Sequence, residues 1–122
     1  MAYSDVATAL YEFWNTFGVD AYPEDTIPDE AKPPYLTYEI TIPEWYGMAT
    51  YNVKIWTKST SFKQVVFLAD SISKAIGDGK RIPVKNGGNI WLFKDENFFQ
   101  IMPSEDINQK NAYLSMIIHV IA

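Results

Sequence analysis

The chain is 122 residues long and 48% hydrophobic, with 15 acids against 10 bases and a formal net charge of −5. That length and apolar content fit one domain, residues 1–122, large enough to bury a core without covalent staples. There is no cysteine, which excludes a disulfide framework and any thiolate zinc site, and the acidic balance argues against the basic footprint of a nucleic-acid-binding domain.

Ser4 or Asp5 can cap a first helix whose apolar positions Val6, Leu10, Phe13 and Phe17 recur at helical spacing, with Gly18 as its stop. The start, M-A-Y-S-D-V-A-T-A-L, lacks the basic and uninterrupted apolar regions of a cleaved export signal, so none is expected. Residues Val19 to Pro34 mix four prolines with Asp20, Glu24, Asp25, Asp29 and Glu30, which rules out a regular helix or a central strand. An extended surface loop is expected, with room for a short strand at Val19 to Tyr22.

Tyr35 to Ile42 alternates, with Leu36, Tyr38, Ile40 and Ile42 on one face, and predicts a half-buried strand. After P-E-W-Y-G, whose tip presents Trp45 and Tyr46, the alternation of Tyr51, Val53 and Ile55 predicts a second strand in a hairpin with the first. Ser61-Phe62-Lys63-Gln64 reads as a capping box, in which the Ser hydroxyl takes the amide three residues on. Phe62, Val65, Val66, Ala69, Ile72 and Ile76 then form the apolar stripe of a second helix that Gly77 and Gly79 end.

Arg81 to Val84 and Asn89 to Phe93 read as short strands joined by the turn Lys85-Asn86-Gly87-Gly88. A separate strand is expected at Phe98 to Met102. Asn111 to Ile121 closes the chain as a long strand with Leu114, Met116, Ile118 and Val120 on one face. The expected class is α+β, a mainly antiparallel sheet with two helices packed on one face. No run approaches the ~18 apolar residues of a spanning helix, so a soluble protein with no membrane contact is expected.

Catalytic motifs are absent. His119 is the one histidine, with no second histidine or cysteine to complete a metal set, and no G-x-S-x-G elbow offers a nucleophile. G-D-G-K at Gly77 to Lys80 follows a helix instead of opening one, so it is a helix stop, not a phosphate loop. Asp95, Glu96, Glu105 and Asp106 lack the spacing of a cation loop and read as solvated loop acids. The sequence therefore predicts no enzyme, no metal and no cofactor.

Charge is informative by location. Residues 1–44 hold nine acids and one base, residues 45–94 eight bases and two acids, and residues 95–122 four acids and one base. Segregated charge can give a molecule an acidic and a basic side and so favour head-to-tail contact between copies; alternatively, strand pairing within one chain brings the two halves together and neutralises them. On the first reading Glu24, Asp25, Asp29 and Glu30 supply one side of an inter-subunit contact, and Lys54, Lys58 and Lys63 the other. The lysines Lys54, Lys58, Lys63, Lys74, Lys80 and Lys85, with Arg81, share their half with Trp56, a composition that also suits loose contact with DNA.

The first helix ending in F-G-V-D-A-Y-P, then P-P-Y-L-T-Y-E-I, I-W-T-K-S-T-S-F and the late F-F-Q-I-M-P-S-E-D-I, resemble the tail-terminator, or tail-completion, proteins of long-tailed bacteriophages and prophages of Gram-positive bacteria. Similarity in element order covers nearly the whole chain. The resemblance implies a tail-terminator-like fold without an active site, assembled as a hexameric ring. Such a ring caps the tail tube, stops its elongation and offers a surface for head-tail joining. Its partners would be the tail-tube protein and a head-completion (connector) protein, with non-specific contact to DNA in the lumen. Its place would be the head-tail junction of the virion, after assembly in the host cytoplasm. A neighbouring connector (neck or stopper) protein of similar size, or a small nucleic-acid-binding module, are the alternatives. Trp45 and Tyr46 are candidates for the tube or neck contact, because exposed aromatics anchor interfaces; the other reading is that they fold back onto the sheet.

Overall fold

The computed structural model describes residues 3–43 and 47–121. Its elements are α1 (Tyr3–Trp14), β1 (Asp20–Pro23), β2 (Tyr35–Tyr38), β3 (Met48–Lys58), α2 (Lys63–Ile76), β4 (Lys80–Pro83), β5 (Asn89–Met102) and β6 (Gln109–Ile121). The class is α+β. The six strands form one sheet in the order β1-β2-β3-β6-β5-β4. Only β1 and β2 run parallel, so the sheet is mixed, and every other neighbouring pair is antiparallel as expected. Parallel neighbours need a connection that travels back along the strand, and the proline-rich stretch 24–34 is that connection.

Strand periodicity decides the core. Tyr51, Val53 and Ile55 of β3 face Met116, Leu114 and Ala112 of β6, and all six are fully buried. Ile90 and Leu92 of β5 extend that face, as do Leu36 and Tyr38 of β2. Val6, Ala9, Leu10 and Trp14 of α1, and Val65, Leu68, Ala69, Ile72 and Ile76 of α2, join them in one cluster. Each large side chain in it contributes roughly 1.5–3 kcal/mol by leaving water. Helix α2 packs on β3, β5 and β6, whereas α1 touches β1 and β4, the two ends of the strand order. The twisted sheet is therefore curled into a half-barrel whose end strands approach the same helix.

Several expectations change. Trp14, absent from the anticipated stripe, is the buried anchor of α1, while Phe13 and Phe17 only pack against the core edge. Strand β2 stops at Tyr38, and Ile40 is exposed, because the β2·β3 pairing ends at Tyr38↔Val53. The capping box is not formed. Phe62 itself adopts helical angles (φ −76°, ψ −1°), and the Ser61 hydroxyl accepts the amide of Lys63, two residues on, instead of three. Val66 and Phe62 are exposed and Leu68 takes their place in the stripe; the Phe62 ring instead lies under the Lys110 ammonium, 5.1 Å from its centroid.

The strands expected at Asn89 to Phe93 and Phe98 to Met102 are one strand, β5. Its register against β6 shifts between Lys94 and Phe99, so that Lys94 faces Met116 and Phe99 faces Leu114. The turn between β4 and β5 is as expected, with Asn86, Gly87 and Gly88 at φ 69°, 107° and 95°, angles that favour glycine and asparagine.

Candidate assembly interface

The acidic loop begins where β1 ends. The Glu24 amide still donates to the Tyr38 carbonyl at 2.9 Å, after which Thr26 N–H bonds to Pro23 O and Ala31 N–H to Pro28 O in successive turns. These turns hold Asp25, Asp29 and Glu30 exposed. Ile27, between the two acid pairs, is 38% exposed.

The candidate lysines fall in different places. Lys54 projects from the outward face of β3, opposite Thr37, and its ammonium lies 3.1 Å from Glu24 Oε1 of the same chain. Thus one acid and one base of the segregated set neutralise each other internally. With both partners well exposed, that pair contributes at most about 1 kcal/mol. Lys58 ends β3 opposite Gln109, and Lys63 opens α2; both are exposed. Trp45 and Tyr46 lie outside the described residues.

The outward face of the sheet carries an aromatic and polar layer. Tyr22, Tyr35 and Trp56 are consecutive neighbours at centroid distances of 5.8 and 6.3 Å, and Trp56 Nε1–H donates to Thr37 Oγ1 at 2.9 Å. The Glu39 carboxylate accepts from Asn52 Nδ2 at 2.9 Å and from Thr41 Oγ1 at 3.0 Å. Tyr113 donates to Gln100 Oε1 across β6 and β5. Open hollows of about 470 Å³ (Glu24, Asp25, Glu39, Ile40, Thr41) and about 430 Å³ (Glu39, Asn52, Lys54, Met102, Pro103, Tyr113) border this layer. His119 sits on it opposite Trp91 and Met48. Among the described residues no three His, Asp or Glu side chains group closely enough to hold a metal ion, and no helix is long and apolar enough to cross a membrane.

No protein-family model matches the chain, and no curated protein does. Among solved structures, it is similar to a chain of the virion of a native gene transfer agent (GTA) particle. The match has a TM-score of 0.62 and 13% sequence identity, and spans 97% of this chain and 90% of that one. The fold is shared with a virion chain.

That fold leaves two sheet ends, and the structure treats them differently. At β1 the outward-facing backbone of Ala21 is taken up by the Asn15 side chain, whose Oδ1 accepts the Ala21 amide at 3.0 Å and whose Nδ2 donates to the Ala21 carbonyl at 3.3 Å. Pro23 has no amide, and its carbonyl is occupied by Thr26. At the other end a groove of about 300 Å³ runs between β4, residues Lys80 to Pro83, and the α1 residues Ala9, Glu12 and Phe13, with Thr16 just beyond the helix. Sequence reasoning missed this groove. Its helix wall, Ala9, Glu12 and Phe13, is an i, i+3, i+4 face, a visible signal, but the pairing of that face with β4 depends on the curl of the sheet.

Proposed function

We propose that this protein is a structural component of a phage or phage-derived virion, acting as the ring-forming terminator of a tail tube. The reading rests on the fold shared with a virion chain over nearly the full length of both. The tail-terminator resemblance in the sequence and the segregated charge support the finer assignment. In this reading six copies close head to tail on the end of the tube, stop its growth and present the surface that the head-completion protein joins. The protein then has no catalytic role, and DNA passes through the lumen without sequence-specific contact.

A closed ring with cyclic symmetry needs two different, complementary surfaces on each copy. The exposed acids Asp25, Asp29 and Glu30 form one. The cations of the 45–94 half, with Lys58 and Lys63 among them, supply the other.

Light scattering over a wide range of concentration and salt, with negative-stain images and a pull-down on polymerised tail tubes, tests this. Closed rings, or a monomer that closes only on the tube end, are the expected results. A chain that stays monomeric and ignores tail tubes overturns the reading.

A further inference from the structure

We propose that the groove between α1 and β4 is the socket for the acidic loop, residues 25–30, of a second copy of this chain. The inference rests on the ring reading above and deepens it by naming the two surfaces. The floor of the groove is apolar, from Ala9, Phe13 and Ile82, while its strand wall carries Lys80 and Arg81. The loop is the matching object: an exposed Ile27 with Glu24 and Asp25 before it and Asp29 and Glu30 after it. Seated in the socket, Ile27 covers the apolar floor and the acids meet the two cations. Glu12 on the helix wall is met by Lys32, the one base of residues 1–44.

The monomer leaves these groups available. Among the described residues the only ion pair is Lys54–Glu24, and within that set Asp25, Asp29, Glu30, Lys80 and Arg81 have no ionic partner; the Arg81 Nη1 donates to Asn89 Oδ1 at 3.1 Å. The loop follows β1 and the socket adjoins β4, and although the curl brings both end strands to α1, no loop residue lines the socket of its own chain. Loop and socket are thus two different surfaces, which is the condition for head-to-tail closure. Neither end of the sheet offers a long ladder for strand addition. The Val84 amide bonds to Gly88, so by alternation Arg81 and Pro83 turn their backbones away from β5. Pro83 has no amide to offer, and β1 is sealed by Asn15. Side chains, not a continued ladder, carry the interface.

The absence of cysteine allows a direct test. Two single-cysteine variants, Asp29→Cys and Thr16→Cys, are mixed and oxidised, so that every disulfide joins two copies. The mixed disulfide is expected well above its statistical share. A statistical share, or an excess of either like pair, overturns the proposal. In a second arm, Lys80→Glu/Arg81→Glu is expected to weaken association by about tenfold or more, because attraction becomes repulsion. Asp25→Lys/Asp29→Lys on the mixing partner is expected to restore it, and Lys58→Glu/Lys63→Glu to do less. Rings that survive the Lys80/Arg81 reversal remove this socket and leave the ring standing; a wild-type chain that never associates, alone or on tubes, removes both.

Discussion

Tyr51→Phe deletes one oxygen from the centre of the fold. The Trp14 indole N–H donates to the Tyr51 hydroxyl at 3.0 Å, the rings lie near-parallel with centroids 6.2 Å apart, and both side chains are fully buried. With the oxygen gone, the indole N–H has no water to turn to, and a buried orphan donor costs about 1–3 kcal/mol. Unfolding entropy of ~2.1 cal/mol/K per residue gives ~0.26 kcal/mol/K for a chain of this length, so Tm should fall by about 4–12 °C. Urea unfolding with an unchanged m-value is the assay. In a Trp14→Phe background the same substitution should cost less by ~1 kcal/mol or more, since its partner is already gone. The hydroxyl also carries a pH signature. Burial pushes its pKa well above the ordinary 10.0, against a smaller lowering by the Trp14 bond. Below that ordinary value the phenol is protonated in both states and nothing is lost. Above it the unfolded chain releases the proton and the folded chain keeps it, so stability falls by about 1.4 kcal/mol per pH unit. Tyr38, raised likewise by burial, keeps its own contribution, but Tyr51→Phe should flatten the alkaline limb. A variant within ~0.5 kcal/mol of wild type at neutral pH, with equal cost in both backgrounds, refutes the reasoning.

Asn15→Ala should destabilise by ~1–3 kcal/mol, because Ala21 loses both partners of its outward backbone at once; hydrogen exchange at the Ala21 amide should accelerate more than at β6. Gly79→Ala should cost ~1–3 kcal/mol. Its φ is 152°, and an added Cβ would sit 2.8 Å from the Phe93 ring, which is itself stacked on Trp91. Chemical denaturation measures the loss, and near-UV circular dichroism should report the displaced aromatic pair.

What could be read from the residues alone was whatever is local. The alternation of Leu114, Met116, Ile118 and Val120, the stripe of Val65, Ala69, Ile72 and Ile76, and the Asn86-Gly87-Gly88 turn all carry their structure in their own spacing. Most of what failed depended on partners distant in the chain, and the helix cap on local angles. Ile40 continues the pattern of Leu36 and Tyr38, yet it is exposed because the pairing with β3 has ended. The Ser61 to Gln64 pattern is satisfied by spacing, but the angles of Phe62 bring the Lys63 amide to the hydroxyl first. For the interface, segregation of charge was plain in the order of residues. That Lys54 would be consumed by Glu24, 30 positions earlier, follows only from β1, β2 and β3 lying side by side. The groove needed still more, since α1 and β4 are neighbours through the curl of the whole sheet.

The irregularity in β5 acts on the strand as a frameshift acts on a message. Between Lys94 and Phe99 the strand advances five positions while β6 advances two. The surplus is odd, so the side chains exchange faces. Before it, odd-numbered Trp91 and Phe93 point outward; after it, even-numbered Gln100 points outward to meet Tyr113, and Phe99 and Ile101 share the face of Leu114 and Ala112. One residue gained or lost between 95 and 98 would bring Phe99 and Ile101 to the polar layer and strip Tyr113 of its partner, whereas a change of two would preserve both faces. Length in this short segment is thus constrained in parity, a rule that no single side chain enforces.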